Sequence, residues 1–470
     1  MQILPPKSSQ TGSVLLVSLM VTAILGLTLA SYLLMAQQQN LSVMRSQTWN
    51  SAIVLSEAGV EDALAMLNKF NSQFDQLTNW ATSASLNSDN WAALGNNTYH
   101  ARRFLGDDYY DVYVTNINNT PVISSKGYTR WYYNGGSSFQ QTYASVALNQ
   151  STAPVMVARK VNVGTRTDPL FNVAMAAIEQ IDFAGKNVQT DSFDSCNSLY
   201  NDGGLYPYNY PDRQLANGDV VTDLAILDSL NVGNAKIKGQ AKTGPTGTMK
   251  VLANGSVGDK AWVEGGNKGV QPGHFADDMN VLFPKVEWPG GSLQWVHSYP
   301  SGTNINGKTY YYMIPGDGDW IIADLTKAMY IAGKVNVVVY NKLQLTGAND
   351  EIYIAPGSQV RMYVGWNVGD ATIAGNGIIN ASGNANDFWL LGMPDLQKLA
   401  FAGNASFAGV IYAPQTALTL GGGGNNVIDF VGCSVSKSVK MNGHYNFHYD
   451  ECLRNQGPPR GYIPTSWKEM

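Results

Sequence analysis

The chain begins with a long apolar segment that predicts a membrane-spanning helix. Residues 14–36 read VLLVSLMVTAILGLTLASYLLMA, and no charged residue occurs between Lys7 and Arg45. About 20 consecutive apolar residues are enough to cross the hydrocarbon core of a bilayer as a helix. Since Lys7 is the only charged side chain before this segment, we expect the short N-terminal tail to stay in the cytoplasm and the rest of the chain to be exported.

The residues after the apolar segment predict that the same helix continues as a stalk. No proline occurs from Ser13 to Phe70, and apolar residues recur at roughly helical intervals. We therefore predict one helix over residues 13–72. A helix of about 58 residues would be roughly 87 Å long at 1.5 Å per residue, with its first half in lipid and its second half below an exported domain.

Two different strand patterns follow the helix. Residues 73–168 predict a small antiparallel β module, because apolar and polar residues alternate and NN, KG and NGG turns separate the runs. Residues 169–455 contain short apolar strands separated by Gly, Asn and Asp turns at intervals of about 8 to 12 residues, which predicts a parallel β-helix-like solenoid. A Greek-key β-sandwich is the alternative. Residues 456–470 are predicted to be a C-terminal tail, and the fold class is mainly β.

Composition and charge narrow the kinds of partner. Charged residues make up 14% of the 470-residue chain, the net charge is -5, and neither sign is concentrated in a run. This balance gives no electrostatic footprint for nucleic acid or for anionic lipid. The 48 glycines, 25 tyrosines and 11 tryptophans fit numerous tight turns between short strands of an exported β domain.

The chain has three cysteines, Cys196, Cys433 and Cys452, which are too few for a disulfide scaffold. We predict that Cys433 and Cys452 form a disulfide, because both lie in one C-terminal segment and an exported protein meets an oxidising compartment. The alternative is three buried thiols that act as small hydrophobic residues. No CxxC or Cys/His spacing suggests zinc, and the sequence predicts no cofactor.

The start of the chain carries a family resemblance. A leader containing Lys7 and ending at Gly12 precedes an apolar helix that begins SVLLVSLM, and the segment SEAGVEDAL follows at residues 56–64. These features resemble the N-terminal region of PilX-type pilin-like proteins, which are minor components of type IV pilus and related secretion machineries. The resemblance implies that a prepilin peptidase removes the leader, residues 1–12, by cutting between Gly12 and Ser13. It also implies that the helix packs with pilin or pseudopilin subunits in a filament core.

Two positions depart from the pattern of the major pilins. Those proteins usually carry phenylalanine or methionine at the first mature position and glutamate at the fifth, whereas this chain has Ser13 and Val17. The departure favours a minor, initiating or tip position over a repeating one. The alternatives to a pilin-like start are an ordinary secretory signal peptide cleaved after Ala30 and an uncleaved membrane anchor.

The C-terminal part carries a second resemblance. Residues 407–453 contain a YAP strand, the run GCSVSKSV and the ending GHYNFHYD. These elements resemble the end of an uncharacterised β-helical domain of bacterial surface proteins, and DSFDS at residues 191–195 resembles its opening. The resemblance implies architecture and an exported location, and the family has no assigned chemistry.

The densest polar cluster is His444, His448, Asp450 and Glu451. We read this segment as a strand, where residues four apart lie about 13 Å from each other, so the two histidines are not expected to chelate one metal ion. The preferred interpretation is a polar end to the last coil.

Three further groups of residues are weighed as sites. Asp191, Asp194 and Ser195 could ligate Ca²⁺, but turn formation explains them more simply. Asp277 and Asp278 invite comparison with the paired acids of sugar-cleaving enzymes, although adjacent strand residues point to opposite faces. The glycines at residues 421–424 are not followed by the GKS or GKT of a phosphate loop.

The expected function is structural and the chain is not expected to be an enzyme. The hypothesis is a PilX-like minor pilin or pilin-related component of a type IV filament or secretion system. It would be a single-pass protein of the inner membrane or filament that displays a β-solenoid at the cell surface for assembly, adhesion or aggregation, where surface glycans or proteins could bind it. The alternatives are a membrane-anchored, exported β-helical carbohydrate-active enzyme and a glycan-binding module.

Overall fold

The computed structural model describes residues 11–68, 90–117, 120–131, 156–183, 188–402, 407–422, 427–442 and 444–470. Most of the predicted leader, residues 1–10, lies outside them. The described residues form two compact units. Unit 1 contains the residues up to 67, those between 90 and 166, and residues 462–470. Unit 2 is formed by residues 167–461.

The first element is the helix α1 (Thr11–Asn68), which is 58 residues long. It confirms the prediction of a long apolar N-terminal helix, and the predicted residues 69–72 lie outside the described residues. Every side chain from residue 14 to residue 35 is exposed, whereas Ala52, Val60, Ala63 and Leu67 are buried. The two halves of α1 therefore meet different surroundings.

Unit 1 contains a six-stranded sheet beside the second half of α1. Five strands run in chain order through antiparallel neighbours: β1 (Ala92–Gly95), β2 (Thr98–Leu105), β3 (Asp108–Thr115), β4 (Val122–Arg130) and β5 (Met156–Pro169). The sixth strand is Pro459–Glu469, which lies next to β5 at the edge of the sheet. This strand corrects the prediction of a tail at residues 456–470. Its prolines argued against a strand in the sequence. They are tolerated in an edge strand, because the backbone N–H groups on one side of that strand have no neighbouring strand to bond to.

The helix approaches the sheet closely through small residues. The backbone N–H of Gly127, in β4, donates a hydrogen bond of 2.9 Å to Ser56 Oγ of α1. A Cβ atom at Gly127 would lie 2.7 Å from Leu55 Cβ and from Ser56 N. The Lys126–Gly127 pair, predicted from the sequence to be a turn, lies instead in the middle of a strand.

Unit 2 contains almost all the remaining strands of the described chain. From the entry of the chain to residue 276 they are β6 (Met175–Ala177), β7 (Ile181–Asp182), β8 (Gln189–Phe193), β9 (Val220–Thr222), β10 (Leu230–Gly233), β11 (Lys236–Lys238), β12 (Ala241–Lys242), β13 (Met249–Val251), β14 (Ser256–Gly258), β15 (Gly269–Val270) and β16 (Phe275–Ala276). The short helix α2 (Lys260–Glu264) lies between β14 and β15.

The strands from residue 294 onwards complete unit 2. They are β17 (Gln294–Trp295), β18 (His297–Ile305), β19 (Lys308–Ile314), β20 (Gly318–Leu325), β21 (Met329–Ile331), β22 (Lys334–Leu345), β23 (Glu351–Ile354), β24 (Gln359–Val364), β25 (Asp370–Ile373), β26 (Gly377–Asn380), β27 (Phe388–Gly392), β28 (Lys398–Phe401), β29 (Phe407–Leu420), β30 (Ile428–Met441) and β31 (Tyr445–Asp450). The helix α3 (Leu453–Gln456) follows β31.

The strand pairs of unit 2 are parallel in the described residues, except for the hairpin of β18 with β19 and two isolated bridges. A Greek-key sandwich would need antiparallel pairs. Apolar side chains fill the interior, where Phe407, Phe430 and Phe447 from three adjacent strands stack with ring centroids 4.5 and 4.3 Å apart.

The chain enters this parallel stack at its middle. The first strands, β6 and β8, pair with the last ones, β30 and β31. From β6 to β16 the chain proceeds to one end of the stack. Residues 277–293 then run back along it, where Tyr412 Oη donates a 2.6 Å hydrogen bond to the carbonyl of Pro284. The strands from β17 to β31 return to the entry point.

Candidate functional site

The first half of α1 is a large apolar surface with no protein packed against it among the described residues. Val14, Leu16, Leu25 and Leu29 are between 60% and 69% exposed, and the helix is long and apolar enough to cross a membrane. Two of its hydroxyl groups are satisfied within the helix: Ser18 Oγ donates to the carbonyl of Leu15 at 2.9 Å, and Thr28 Oγ1 donates to the carbonyl of Leu25 at 2.9 Å. Such a surface is suited to lipid or to other helices, where free polar groups are costly.

The predicted processing residues lie at the start of this helix. Gly12 and Ser13 belong to the first turn of α1, which begins at Thr11. Cleavage between them stays a prediction.

The polar cluster of unit 2 is built on the outer face of strands β31, β8 and β11. The parallel pairing of β31 with β8 places His448 beside Asp191, and His448 Nδ1 lies 2.6 Å from Asp191 Oδ1. On its other side, His448 Nε2 is 3.3 Å from Asp429 Oδ1. Lys238, on β11, has its Nζ 3.9 Å from Asp191 Oδ2 and 2.9 Å from Glu264 Oε1. The result is a chain of alternating charges along neighbouring strands.

The loop between β8 and β9 covers this cluster. Tyr206 from the loop stacks on the His448 ring at a centroid distance of 3.6 Å, and its hydroxyl donates a 2.8 Å hydrogen bond to Asp191 Oδ2. The neighbouring Tyr208 packs edge-on against Tyr206 at 4.8 Å. His448 and Asp191 are consequently only 4% and 6% exposed.

Burial and charge act in opposite directions on the cluster. Burial by itself lowers the pKa of His448, but the negative charges and hydrogen bonds of Asp191 and Asp429 outweigh it, so the pKa of His448 is raised above its ordinary value. Burial likewise would raise the pKa of Asp429, yet the hydrogen bond and charge of His448 hold that pKa below its ordinary value. Both shifts favour an ionised histidine and an ionised carboxylate, which form a buried ion pair.

The disulfide joins different cysteines from those predicted. Cys196 is bonded to Cys452, with Cα atoms 5.5 Å apart, and Cys433 is a buried free thiol. The pairing of β31 with β8 places the residues that follow these two strands side by side, and there Cys196 and Cys452 meet. Cys433 cannot join them because it lies within β30 in the apolar interior, where burial raises the pKa of its thiol. The prediction of a Cys433–Cys452 bond is therefore wrong.

The other residues of the C-terminal cluster hold the end of β31 to β8 and to the loop that follows β8. The Asp450 carboxylate is fully buried and accepts hydrogen bonds from the backbone N–H groups of Ser195 and Cys452, each at 3.1 Å. Glu451 Oε1 accepts from Ser192 Oγ at 2.8 Å and from Asn217 Nδ2 at 2.7 Å. His444 precedes β31 and makes none of the described contacts of His448. These contacts are structural, and the assignment of this segment as the polar end of a coil stays a prediction.

The remaining candidate groups do not assemble a site in the described residues. Asp194 Oδ1 accepts the N–H of Cys196, as a turn-forming aspartate does, while Asp191 is engaged in the His448 cluster. Asp277 Oδ2 accepts the N–H of Thr246, and Asp278 pairs with Lys242 at 3.5 Å. The two acids therefore have separate partners. In the 421–424 run, Gly423 and Gly424 lie outside the described residues.

A groove of about 490 Å³ opens beside the His448 cluster. Its lining combines Tyr208 and Asp429 with an apolar strip that includes Ile379, Ala408 and Val431. Sequence reasoning missed this groove, because its residues come from four separated segments. The signal present in the sequence was that Ala408 and Asp429 alternate with the buried Phe407 and Phe430 in β29 and β30.

Comparisons with known proteins give limited information about this chain. Residues 303–456, about a third of the chain, match the model of a family described as a domain of unknown function, DUF7305. No curated protein matches the chain. Among solved structures, the competence-associated pilin ComZ from Thermus thermophilus is aligned over 90% of this chain and 97% of its own, at 13% identity and a TM-score of 0.24. At that TM-score two chains need not share a fold.

Proposed function

We propose that this protein is a pilin-related subunit that enters a type IV filament, or the membrane beside it, through α1 and displays unit 2 outside the cell. The observation that supports the proposal most directly is the division of α1. Its second half is partly buried against an antiparallel sheet, whereas residues 14–35 of its first half are exposed, uncharged and mostly apolar. An apolar surface of this extent is incompatible with a soluble monomer and requires lipid or other helices around it.

The finer parts of the proposal concern processing and role. We infer that a prepilin peptidase cuts between Gly12 and Ser13, and that Val17, in place of an acidic residue, suits a minor PilX-like position at the start or tip of a filament. We infer also that the parallel strands of unit 2 wind as a β-helix-like solenoid, which would act as a rigid display surface. The described clusters serve packing, and we propose no catalytic step.

Mass spectrometry of the mature N-terminus tests the processing step. The protein would be expressed with and without a prepilin peptidase, and the membrane fraction analysed. We expect a chain starting at Ser13 only when the peptidase is present. Gly12→Val should prevent this cleavage, while Gly26→Ala serves as the control, because a Cβ atom at Gly26 meets no heavy atom within 4 Å. A start at residue 31, or an uncleaved chain in the presence of the peptidase, would contradict the proposal.

Membrane fractionation tests the anchoring step separately. We expect the full chain to require detergent for extraction, and a chain beginning at residue 37 to be soluble when it is exported by an added signal peptide. Recovery of the full chain in the soluble fraction without detergent would rule out the assigned role of α1.

A further inference from the structure

The groove beside the His448 cluster has features of a ligand site. It lies on the outer face of unit 2, where β26, β29 and β30 are neighbours, and its volume of about 490 Å³ is within the range of small-molecule sites. One wall is Tyr208, which is 55% exposed. The floor is the apolar strip of Ile379, Ala408 and Val431.

The charged group of the groove is the carboxylate of Asp429, and His448 lies beside it. Asp429 Oδ1 lies 3.3 Å from His448 Nε2 and accepts a 3.2 Å hydrogen bond from Asn446 Nδ2. The hydroxyl of Tyr208 also donates a hydrogen bond to this carboxylate. The Asp429 side chain remains about one third exposed, so a remaining lone pair can accept a hydrogen bond from a ligand. Asn380, at the rim, is occupied by its own contacts, because its Nδ2 donates to the carbonyls of Asn384 and Ala408 at 2.7 and 3.1 Å.

The charges and apolar surface of the groove exclude several chemical classes of ligand. An anion would be repelled by the Asp429 carboxylate. A cation would have to compete with His448, whose Nε2 already lies 3.3 Å from Asp429 Oδ1. A purely apolar ligand would strip water from the carboxylate without replacing its hydrogen bonds, which is costly. A neutral ligand with hydroxyl donors on its edges and apolar C–H faces satisfies both the carboxylate and the apolar floor.

We propose that the groove formed by Tyr208, Asp429 and the strip of Ile379, Ala408 and Val431 binds a neutral saccharide. The hydroxyls of a sugar residue donate to the Asp429 carboxylate, and its C–H groups pack against Tyr208 and the apolar strip. The inference gives the display role of the proposed function a ligand class. It fails independently of that function, because the start of the mature chain at Ser13 does not depend on sugar binding.

The test uses the full chain in a detergent without a sugar headgroup. Neutral oligosaccharides of the gluco-, manno- and chito- series and, for comparison, acidic oligogalacturonides would be titrated by isothermal calorimetry. We expect at least one neutral series to bind and the acidic one to bind more weakly. Tyr208→Ala and Asp429→Asn should each weaken binding roughly tenfold, about 1.4 kcal/mol.

Two further variants separate binding from folding. Tyr210→Ala is the matched control, since Tyr210 is an exposed tyrosine of the same loop that does not line the groove, and it should leave the affinity within about twofold, under 0.5 kcal/mol. Ala408→Trp should block the groove and abolish binding while the thermal unfolding curve is kept. Failure of all the neutral series to bind, preference for the acidic series, or binding unchanged in both Tyr208→Ala and Ala408→Trp would overturn the proposal.

Discussion

His448 is the residue on which the outer cluster of unit 2 depends. It is the histidine of that cluster, the residue type whose ordinary pKa lies closest to neutral pH, and it faces two carboxylates, Asp191 at 2.6 Å and Asp429 at 3.3 Å. Tyr206 and Tyr208 cover the ring, while Lys238 and Glu264 carry the next charges along the strands. Removing one member of a buried ion pair leaves the others uncompensated, which costs about 3–5 kcal/mol.

The stability of unit 2 should depend on pH through His448. Because the pKa of His448 is raised in the folded chain, its contribution is fully present below the ordinary value of 6.5 and is lost as the pH rises through the folded-state pKa. We expect His448→Gln to cost about 3 kcal/mol at pH 6 and clearly less at pH 9. Chemical unfolding of both proteins at several pH values measures the difference.

The comparison with the variant cancels the titrating groups that do not contact His448. Burial raises the pKa of Asp450 and of Asp219, so they also add a pH dependence, but it is common to both proteins. His444→Gln is a matched control outside the cluster and should show the wild-type profile. A cost of His448→Gln that stays constant between pH 6 and pH 9 would refute the ion-pair account.

The Cys196–Cys452 bond should contribute strongly to stability. It closes a loop of 256 residues, and native disulfides of this kind typically contribute about 2–4 kcal/mol. Cys196→Ser should therefore lower the free energy of unfolding by that amount, whereas Cys433→Ala should cost only the packing of one buried sulfur. Peptide mapping after alkylation without reduction should label Cys433 alone. Labelling of Cys196 instead would restore the pairing predicted from the sequence.

The wrong prediction of a Cys433–Cys452 disulfide shows what residue patterns could not predict. The sequence identified the polar nature of residues 444–451 and the strand conformation of that segment. It could not identify the partner of Cys452, because the pairing depends on β31 lying beside β8, whose residues His448 and Asp191 are 257 positions apart. Nearness in sequence is a poor guide where parallel strands bring distant segments together.

At the scale of elements, α1 is the part of the fold that the sequence predicted best. An apolar run without proline is a local signal, and it predicted the start of the helix to within two residues and its helical conformation up to Asn68. The approach of the helix to the sheet was not predictable in the same way. Gly127 was interpreted as part of a turn, but it lies within β4. A glycine is needed there because the backbone of α1 leaves no room for a side chain.

A side chain at Gly127 should separate α1 from the sheet. The Cβ atom of Gly127→Ala would lie 2.7 Å from Leu55 Cβ and Ser56 N, and overpacking of this kind costs about 1–3 kcal/mol. Gly316→Ala is the matched control, because a Cβ atom there meets nothing within 4 Å. Calorimetric unfolding should show a lower transition temperature for unit 1 only in Gly127→Ala. Equal effects of the two substitutions would mean that close helix packing is not the cause.

At the scale of the whole molecule, the order of the strands in unit 2 links its two ends. Strands β6 and β8, made early in the chain, find their neighbours β30 and β31 only when the C-terminal part has been made. The sequence predicted short stacked strands but not this order, since each strand is a local pattern and its neighbour is decided by how the whole interior is filled. Pairing over such separations makes folding slow.

We expect the first half of unit 2 to need β30 and β31, because these strands pair with its edges. A chain ending at residue 427 would leave the edges of β6, β7, β8 and β29 unpaired, and exposed edges of this kind promote aggregation. We expect that chain to be degraded or insoluble. A chain ending at residue 458 loses only the edge strand of unit 1, so unit 2 should still resist limited proteolysis. If the shorter chain also gave a protease-resistant fragment covering residues 170–400, the first coils would be stable without the last ones, and closure of the stack by β30 and β31 would not be what holds unit 2 together.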